Sequence, residues 1–386
     1  MKFHTLGGLS MNIDEYKSGT FKKQYKYQSF QPSHITRAWN INDDSLNWLL
    51  SQADLKLGEL NAFSQLVPDI DYFIRMHVNK EATSSSKIEG TQTNIEEALQ
   101  KIEYIDPEKR DDWEEVQNYI KAMNKAVAAL SKLPVSGRLL KETHEILLQG
   151  VRGKHKQPGE FRKSQNWIGG ATLNDAIFIP PHHDDVPDLM KDLETFINDE
   201  TYPVPHLVRI AIAHYQFETI HPFLDGNGRL GRLLITLYLV EKGLLTKPTL
   251  YLSDFLEKHK TLYYDNLTRV RNLHDMKQWI KFFLEGVRQT SESSIQTFKS
   301  IIKLRNESEH KILKLGKKIN LAKDFLNYLY GKPIVDSQDV AEKFDITLAT
   351  ALSLIDDFIR LGILKEMTGY KRNRIFSFNI YIQLFE

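Results

Sequence analysis

At 386 residues the chain is long enough for two or three domains. Its 41% hydrophobic and 26% charged residues suit a soluble globular protein able to bury a core. With 51 Lys+Arg against 50 Asp+Glu it is not a globally polybasic nucleic-acid binder, and with no cysteine it holds no disulfide, thiolate zinc site or cysteine nucleophile.

Taken in chain order, the apolar periodicity predicts mostly helix. A first helix is expected over 44–63, where Leu46, Leu49, Leu50, Leu55, Leu57, Leu60 and Phe63 recur at roughly the helical period. Others follow at 95–105, 113–130, 138–148, 186–197, 206–220, 230–242 and 276–289. Only two places read as strands. One is a hairpin, 165–168 and 176–179, turning at Gly169-Gly170 and stopping before Pro180-Pro181. The other is the C-terminal pair 363–367 and 374–378, hinged on Thr368-Gly369-Tyr370. Residues 276–315 are nearly free of Gly and Pro and read as one or two long helices leading to a separate module. That module spells helices at 321–329, 337–344 and 348–361 before the strand pair, the order of a winged helix-turn-helix. Ser337 is the expected N-cap of its second helix, and Gly362 the C-terminal cap of its third. The fold class is therefore mainly α, divided as an N-terminal region 1–99, a core 100–290, a linking helix 291–318 and a tail module 319–386. No apolar run reaches the ~20 residues of a bilayer span, and residues 1–16 carry no apolar leader core. A cytoplasmic protein with no membrane contact is expected.

The chemistry concentrates in twelve residues, His221-Pro222-Phe223-Leu224-Asp225-Gly226-Asn227-Gly228-Arg229-Leu230-Gly231-Arg232. The segment lies between two helical patterns, so it reads as a loop entering a helix N-terminus. Gly226 and Gly228 bracket Asn227 and allow backbone conformations in which several N–H groups turn toward one point. Beside the positive end of a helix, such a nest is an anion cradle. Arg229 and Arg232 share one face of the first turn, where cations run against the helix dipole. A bound polyphosphate would offset that cost. Asp225 adds a hard oxygen suited to Mg²⁺ beside phosphates, and His221 adds a group that exchanges a proton near neutral pH. Singly, each residue has an ordinary structural explanation; jointly, they point to a nucleotide site.

This segment resembles the signature of the Fic family, His-x-Phe-x-(Asp/Glu)-Gly-Asn-Gly-Arg-x-x-Arg, and matches every fixed position. Pro158-Gly159-Glu160-Phe161-Arg162 is similar to the stretch before that family's flap, and the 165–181 hairpin stands in the flap's place. The resemblance implies a Fic-type helical core with a β-hairpin flap, catalysing transfer of AMP from ATP to a Ser, Thr or Tyr hydroxyl of a target protein, itself included. His221 would be the base. Asp225 would hold Mg²⁺, and Gly226, Asn227, Gly228, Arg229, Leu230, Gly231 and Arg232 would hold the ATP phosphates, Arg232 at the γ-position. Phe223 would anchor the loop in the core. Tyr264, beside Tyr263, would close over the adenine. Trp167, Ile168, Gly169, Ile177 and Phe178 would dock the target as an added strand.

A second segment reads Glu81-Ala-Thr-Ser-Ser-Ser-Lys-Ile-Glu-Gly90. Ending a short helix near Gly90 leaves Glu89 at the negative end of the dipole, a position disfavoured by ~0.3–1 kcal/mol. That invites a distant cationic partner, although many such acids simply face water. Ser85-x-x-x-Glu89-Gly90 also resembles the family's inhibitory motif, which implies that Glu89 pairs with Arg232 and displaces the γ-phosphate. Some relatives transfer phosphate or phosphocholine, or remove AMP. Loss of the regular loop pattern goes with phosphate transfer, and the pattern is intact here. A different class of reading is a DNA-binding regulator with a nucleotide-sensing N-terminal portion. Lys371, Arg372 and Arg374 in the wing favour it. Against it, residues 317–386 hold ten Lys/Arg and nine Asp/Glu, with Asp356-Asp357 on the expected recognition helix. The tail is therefore read as binding protein in preference to DNA. A homodimer burying 276–315 is a further expectation.

Overall fold

The computed structural model describes residues 11–67, 69–150, 153, 155–369 and 373–386. Short strands open it: β1 (Met11–Asn12) pairs in parallel with β4 (Trp39–Asn40), and β2 (Gly19–Lys23) pairs antiparallel with β3 (Gln28–Pro32). Helices α1 (Asp44–Leu66), α2 (Ile70–Ile88), α3 (Ile95–Ala98), α4 (Arg110–Ala129), α5 (Gly137–Leu147) and α6 (Val186–Asn198) follow. Next come α7 (His206–Ile220), α8 (Asn227–Glu241), α9 (Ser253–Lys258), α10 (Lys260–Leu273) and α11 (Met276–Ile312). Among the described residues, no helix is long and apolar enough to cross a membrane.

The core is centred on α7, in which every residue from Leu207 to Ile220 is buried. A helix buried all round must satisfy its polar side chains internally. Arg209 does so on the carbonyls of Phe196, Asp199 and Tyr202. His214 is held between the Gly231 carbonyl and the Tyr263 hydroxyl, each at 2.9 Å. Around α7 pack α6, α8 and α11, with α1 lying along α11.

Most expected helices appear within a few residues of their places, with several differences. The helix expected over 95–105 stops at Ala98, and 3₁₀ turns at Ile102–Tyr104 and Pro107–Lys109 replace the rest. There Lys101 and Tyr104 both reach Asp336 in the tail, at 2.7 and 3.2 Å, a tertiary demand that overrides local propensity. The long helix expected over 276–315 forms as a single helix of 37 residues, from Met276 to Ile312. Helix α8 begins at Asn227, three residues before its apolar pattern does. The 165–181 hairpin is reduced to one bridge, Ile168↔Phe178. Gly169 and Gly170, at φ +68° and +74°, leave the extended region at once. Asp175 then ties the tip by accepting from the Ala171 and Thr172 N–H groups.

The tail consists of α12 (Ile319–Gly331), β5 (Ile334–Asp336), α13 (Ser337–Phe344), α14 (Leu348–Arg360), β6 (Lys365–Glu366), β7 (Ile375–Ser377) and α15 (Asn379–Ile382). Its strands form one sheet in the order β5-β7-β6. The N-cap of α13 is Asp336, in a reciprocal capping box with Asp339, so Ser337 is already inside the helix. Gly362 sits at φ +65° just past α14, as expected. Tyr370, Lys371 and Arg372 lie outside the described residues. Phe385 returns to the core and meets His77 of α2 edge-on, ring centroids 5.0 Å apart.

Candidate active site

The site is the loop between α7 and α8, and its shape follows from where the backbone carbonyls go. His221 ends α7 in the left-handed region at φ +50°, an uncommon place for a non-glycine residue. Four successive carbonyls then accept from the 162–166 segment. Arg162 Nη2 reaches Ile220 (3.3 Å), Arg162 Nε reaches His221 (3.0 Å), the Arg162 backbone N–H reaches Pro222 (2.9 Å), and Asn166 Nδ2 reaches Phe223 (2.9 Å). Arg162 is 2% exposed. Burial pulls its pKa down to about 10, leaving a cation fixed among carbonyl dipoles.

Asn227 fastens the other side, accepting from the Phe223 N–H and donating to its carbonyl, both at 2.9 Å. Both ends of its amide are thus engaged within the loop. Phe223 is buried and stacks on His144, centroids 3.8 Å apart and planes within 16°. The Gly159 N–H donates to His144 Nδ1 at 2.9 Å, so Nε2 carries the proton it gives to the Asp225 carbonyl at 3.0 Å. Burial lowers the His144 pKa to about 4 and keeps that tautomer neutral. Gly226, at φ +73°, turns the chain into α8. The first-turn N–H groups of Asn227, Gly228 and Arg229 precede the intrahelical ladder, which begins where Leu230 donates to Gly226 at 3.0 Å.

His221 is partly buried, and its Nδ1 has no hydrogen-bond partner among the described residues. Burial, reinforced by Arg162, lowers its pKa to about 4, so the imidazole is neutral at pH 7.

Both arginines of the loop are buried and already engaged. Arg229 Nη1 meets Glu115 of α4 at 3.0 Å. Arg232 donates to the Ser85 hydroxyl (2.9 Å), the Ser85 carbonyl (2.8 Å) and Glu89 Oε1 (2.6 Å). The cost of placing cations at a helix N-terminus is thus offset here by carboxylates, where the sequence argument invoked a polyphosphate. For Glu89, burial opposes ionisation but the Arg232 charge and hydrogen bond prevail, holding its pKa below the ordinary range. The Glu89 side chain keeps about a third of its surface exposed, at 36%, so solvent screens part of this attraction. Helix α2 presents Glu89 well because its last carbonyls are satisfied: Ser85 by Arg232 and Ile88 by Lys260 Nζ at 2.6 Å. Gly90, at φ +110°, then breaks the helix. A methyl group added at Gly228 would collide with the Glu89 carboxylate, so that glycine is required for the close approach.

The remaining expected site residues fall as follows. Leu230 is wholly buried, so its side chain belongs to the core and only its backbone is near the loop. Gly231 packs against Glu218, and its carbonyl is taken by His214. Tyr264 on α10 is 40% exposed beside Tyr263. Burial first, then the Glu89 charge, pushes its hydroxyl up to about 12. Along the 165–181 segment Trp167 and Ile177 are exposed while Phe178 is buried, and Ile168 and Gly169 hold the bridge and turn. Asp225 spends Oδ1 on the Gly226 N–H at 2.6 Å, and its side chain is about half exposed. One half-exposed hard oxygen beside the first turn of α8 fits Mg²⁺, which takes one or two carboxylates and fills its shell with water and substrate oxygens.

Sequence reasoning missed Arg162, Asn166, His144 and Glu115 as members of this site, since each acts across a long sequence separation. It also missed Glu218, buried on the last turn of α7, whose Oε1 has no hydrogen-bond partner among the described residues. Burial raises its pKa to about 7.

The architecture defines a class first. A Fic family protein from Desulfovibrio desulfuricans G20 has the same fold, at a TM-score of 0.56 and 19% identity over 88% of this chain and 98% of that one. A Fic domain containing signaling protein from Bacteroides thetaiotaomicron matches at a TM-score of 0.53 and 17% identity, over 65% of this chain and 97% of that one. The family models then place the likeness on the sequence. Residues 47–128 match the Fic/DOC family N-terminal model and residues 134–239 the Fic/DOC family model, the latter including the whole 221–232 loop. Among curated relatives, the protein adenylyltransferase Fic of Culex quinquefasciatus is 37% identical over 134 residues, 34% of this chain and 24% of that protein. That of Drosophila willistoni is 27% identical over 220 residues, covering 55% and 41%. The chain thus spans less than half the length of these relatives.

Proposed function

We propose that this chain is a protein adenylyltransferase that moves AMP from ATP to a Ser, Thr or Tyr hydroxyl of a target protein, itself included, and that Glu89 restrains it. The observation that carries this reading is His221, neutral at pH 7 and with no hydrogen-bond partner for its Nδ1 among the described residues, on the loop that leads into the first turn of α8. The hydroxyl oxygen forms a bond to the α-phosphorus, the bond to the β-phosphate oxygen breaks, pyrophosphate leaves, and His221 takes the hydroxyl proton. Such transfer needs positioning and charge stabilisation above all. The N–H groups of residues 227–229 and the Arg229 guanidinium would seat the α- and β-phosphates, and Arg232 the γ-phosphate once Glu89 withdraws. Mg²⁺ on Asp225, when bound, supplies further positive charge against the phosphates. On this reading Tyr264, partly exposed on α10, would close over the adenine, and the 165–181 segment, whose Asn166 holds the His221 carbonyl, would border the site. The curated relatives named protein adenylyltransferase support the same reaction.

The test is to supply α-labelled and, separately, γ-labelled ATP. Label retained from the α position alone supports AMP transfer. Retention from γ alone would mean a kinase, and from neither a nucleotide-binding module.

For the tail, we read residues 319–386 as a winged-helix module that binds protein. The exposed opening of α14, Thr347 to Thr350, is uncharged, and Asp357 is buried between Lys318 and Arg360. Phosphate contacts need a basic face. A salt-sensitive gel shift with the full chain would reverse this assignment.

A further inference from the structure

The β2–β3 hairpin is not accounted for by the site described above. Its register runs from Gly19↔Pro32 to Lys23↔Gln28. From Thr20 to Lys23 every residue of β2 is exposed, and at the tip Tyr25 is 93% exposed. A two-stranded hairpin is marginal alone, and this one is anchored on its β3 side. The Phe30 N–H donates to the Ile179 carbonyl at 2.9 Å, and the Tyr27 hydroxyl to Gln165 Oε1 at 3.3 Å. The buried Phe30 ring lies between Phe21, at 5.2 Å, and Phe178, at 6.1 Å. The hairpin therefore lies against both ends of the 165–181 segment, whose Asn166 holds the His221 carbonyl at 3.2 Å. Across the surface the order is β2, β3, then the arm carrying Phe178, then the arm carrying Ile168. Among the described residues the outer edge of β2 has no strand partner.

This margin is one-signed. Residues 19–32 contain Lys22, Lys23 and Lys26 and no acidic residue. None of the three ammonium groups pairs with an acid among the described residues. Lysines on an edge strand also deter pairing between copies of a chain. That role alone would not place Phe21, 54% exposed, and Tyr25, 93% exposed, on the same margin as the lysines.

We infer that the β2–β3 hairpin is a docking surface for an acidic, extended segment of the protein to be modified. Backbone pairing along β2 would align that segment, the three lysines would meet its carboxylates, and Phe21 and Tyr25 would take its apolar side chains. Only the identity of the occupant as a transfer target rests on the proposed AMP transfer.

The experiment uses the full chain carrying Glu89→Gly and two fluorescent peptides of equal length with the same Ser and Tyr acceptors. One is flanked by Asp and Glu, the other by Lys and Arg. Binding is read by anisotropy and transfer by α-labelled ATP. The acidic peptide is expected to bind about tenfold more tightly than the basic one, with the ratio shrinking as salt is added. Lys22→Glu, Lys23→Glu and Lys26→Glu together should abolish the preference without moving the melting temperature. Phe21→Ala with Tyr25→Ala should weaken the acidic peptide several-fold, which a purely protective edge would not do. Equal binding of both peptides, or an unchanged preference in the triple-lysine variant, overturns the inference whatever the labelling. Preferential binding with no α-label on either the peptide or the chain leaves docking standing and removes the transfer reading instead.

Discussion

The loop of residues 221–232 and the surface formed by residues 19–32 and 165–181 lie side by side, yet they are built on opposite terms. In the loop, four consecutive carbonyls, the Asn227 amide and both arginines have assigned partners. On the neighbouring surface pairing is sparse beyond the β2–β3 ladder: one bridge joins the two arms of 165–181, one N–H joins β3 to Ile179, the outer edge of β2 has no strand partner among the described residues, and Tyr25 and Ile177 stand in solvent. Bond-making requires reacting atoms placed within fractions of an ångström, so the loop must be rigid before substrate arrives. Recognition by added strand pairing requires the reverse: backbone groups left unpaired until a partner supplies them.

The sharpest way to break this contrast is to remove the base. His221→Asn deletes the titrating nitrogen while tolerating the left-handed backbone that alanine would strain. AMP transfer should drop by ~10²–10⁴-fold with little change in melting temperature. Retained labelling would reassign the base. Removing the restraint comes next in size. Glu89→Gly frees Arg232, and because the carboxylate is part-exposed the expected gain is about tenfold, at the low end for a charge-assisted bond. Parent and variant incubated with α-labelled ATP provide the measurement, and equal labelling would falsify the brake. Arg162→Ala tests the rigidity itself. It removes the donor to the Ile220 and His221 carbonyls and also to Pro181, so the melting midpoint should fall by an amount equivalent to ~2–3 kcal/mol, with transfer reduced in parallel. Loss of stability with unchanged turnover in the folded fraction would detach the loop's shape from its chemistry.

The contrast also explains what was legible in the sequence. Within the loop, information is local: Gly226 makes the turn, Asn227 ties it to Phe223, Gly228 leaves room beside Glu89, and His221 and Arg232 sit eleven residues apart on it. The long helices were legible too, because a 3.6-residue apolar period survives in a single strip of sequence, as in α1 and α11. What escaped was non-local. Arg162 spends its guanidinium on carbonyls some sixty positions away, and Glu115 meets Arg229 across more than a hundred. The β2–β3 hairpin escaped for another reason: Thr20, Lys22 and Lys23 are exposed, so no apolar alternation marks the strand. The 165–181 hairpin was over-read, since Gly169-Gly170 signals a turn but says nothing about how far pairing continues beyond it.

Acid should separate the two regions further. His77 and His214 are lowered to about 3, and His144 and His221 to about 4, burial being the leading cause in each. Their ordinary value is 6.5, so the unfolded chain binds more protons than the native one below that pH. Their stabilisation is complete above 6.5 and is lost as pH falls through the folded values. Glu218, raised to about 7, works the other way: its contribution is present below 4.5 and fades as pH rises through 7. His206 and His274 are lowered as well, and burial also raises Asp54, Glu81 and Glu96, so six histidines against four carboxylates predict a melting midpoint that declines from pH 6.5 toward pH 4. In the Glu89→Gly variant, turnover should hold nearly flat from pH 8 to about 6. An acid limb centred at 6.5, in protein still folded by circular dichroism, would mean that His221 titrates as an exposed imidazole.

The smallest expected effect is also the finest probe of the docking surface, because neighbouring residues of one arm have opposite environments. Ile177 is 80% exposed, whereas Phe178 is 6% exposed, with the Arg271 guanidinium 3.8 Å from its ring centre. Ile177→Ala should leave the melting temperature unchanged and raise the target's KM two- to threefold with kcat constant, as expected of ground-state contact alone. Phe178→Ala should instead cost ~3 kcal/mol of stability through the cavity it opens against Phe30 and Arg271. If Ile177→Ala lowered kcat and left KM alone, the exposed arm would be acting on the transition state. The separation between a rigid reacting loop and a permissive docking edge would then have to be redrawn.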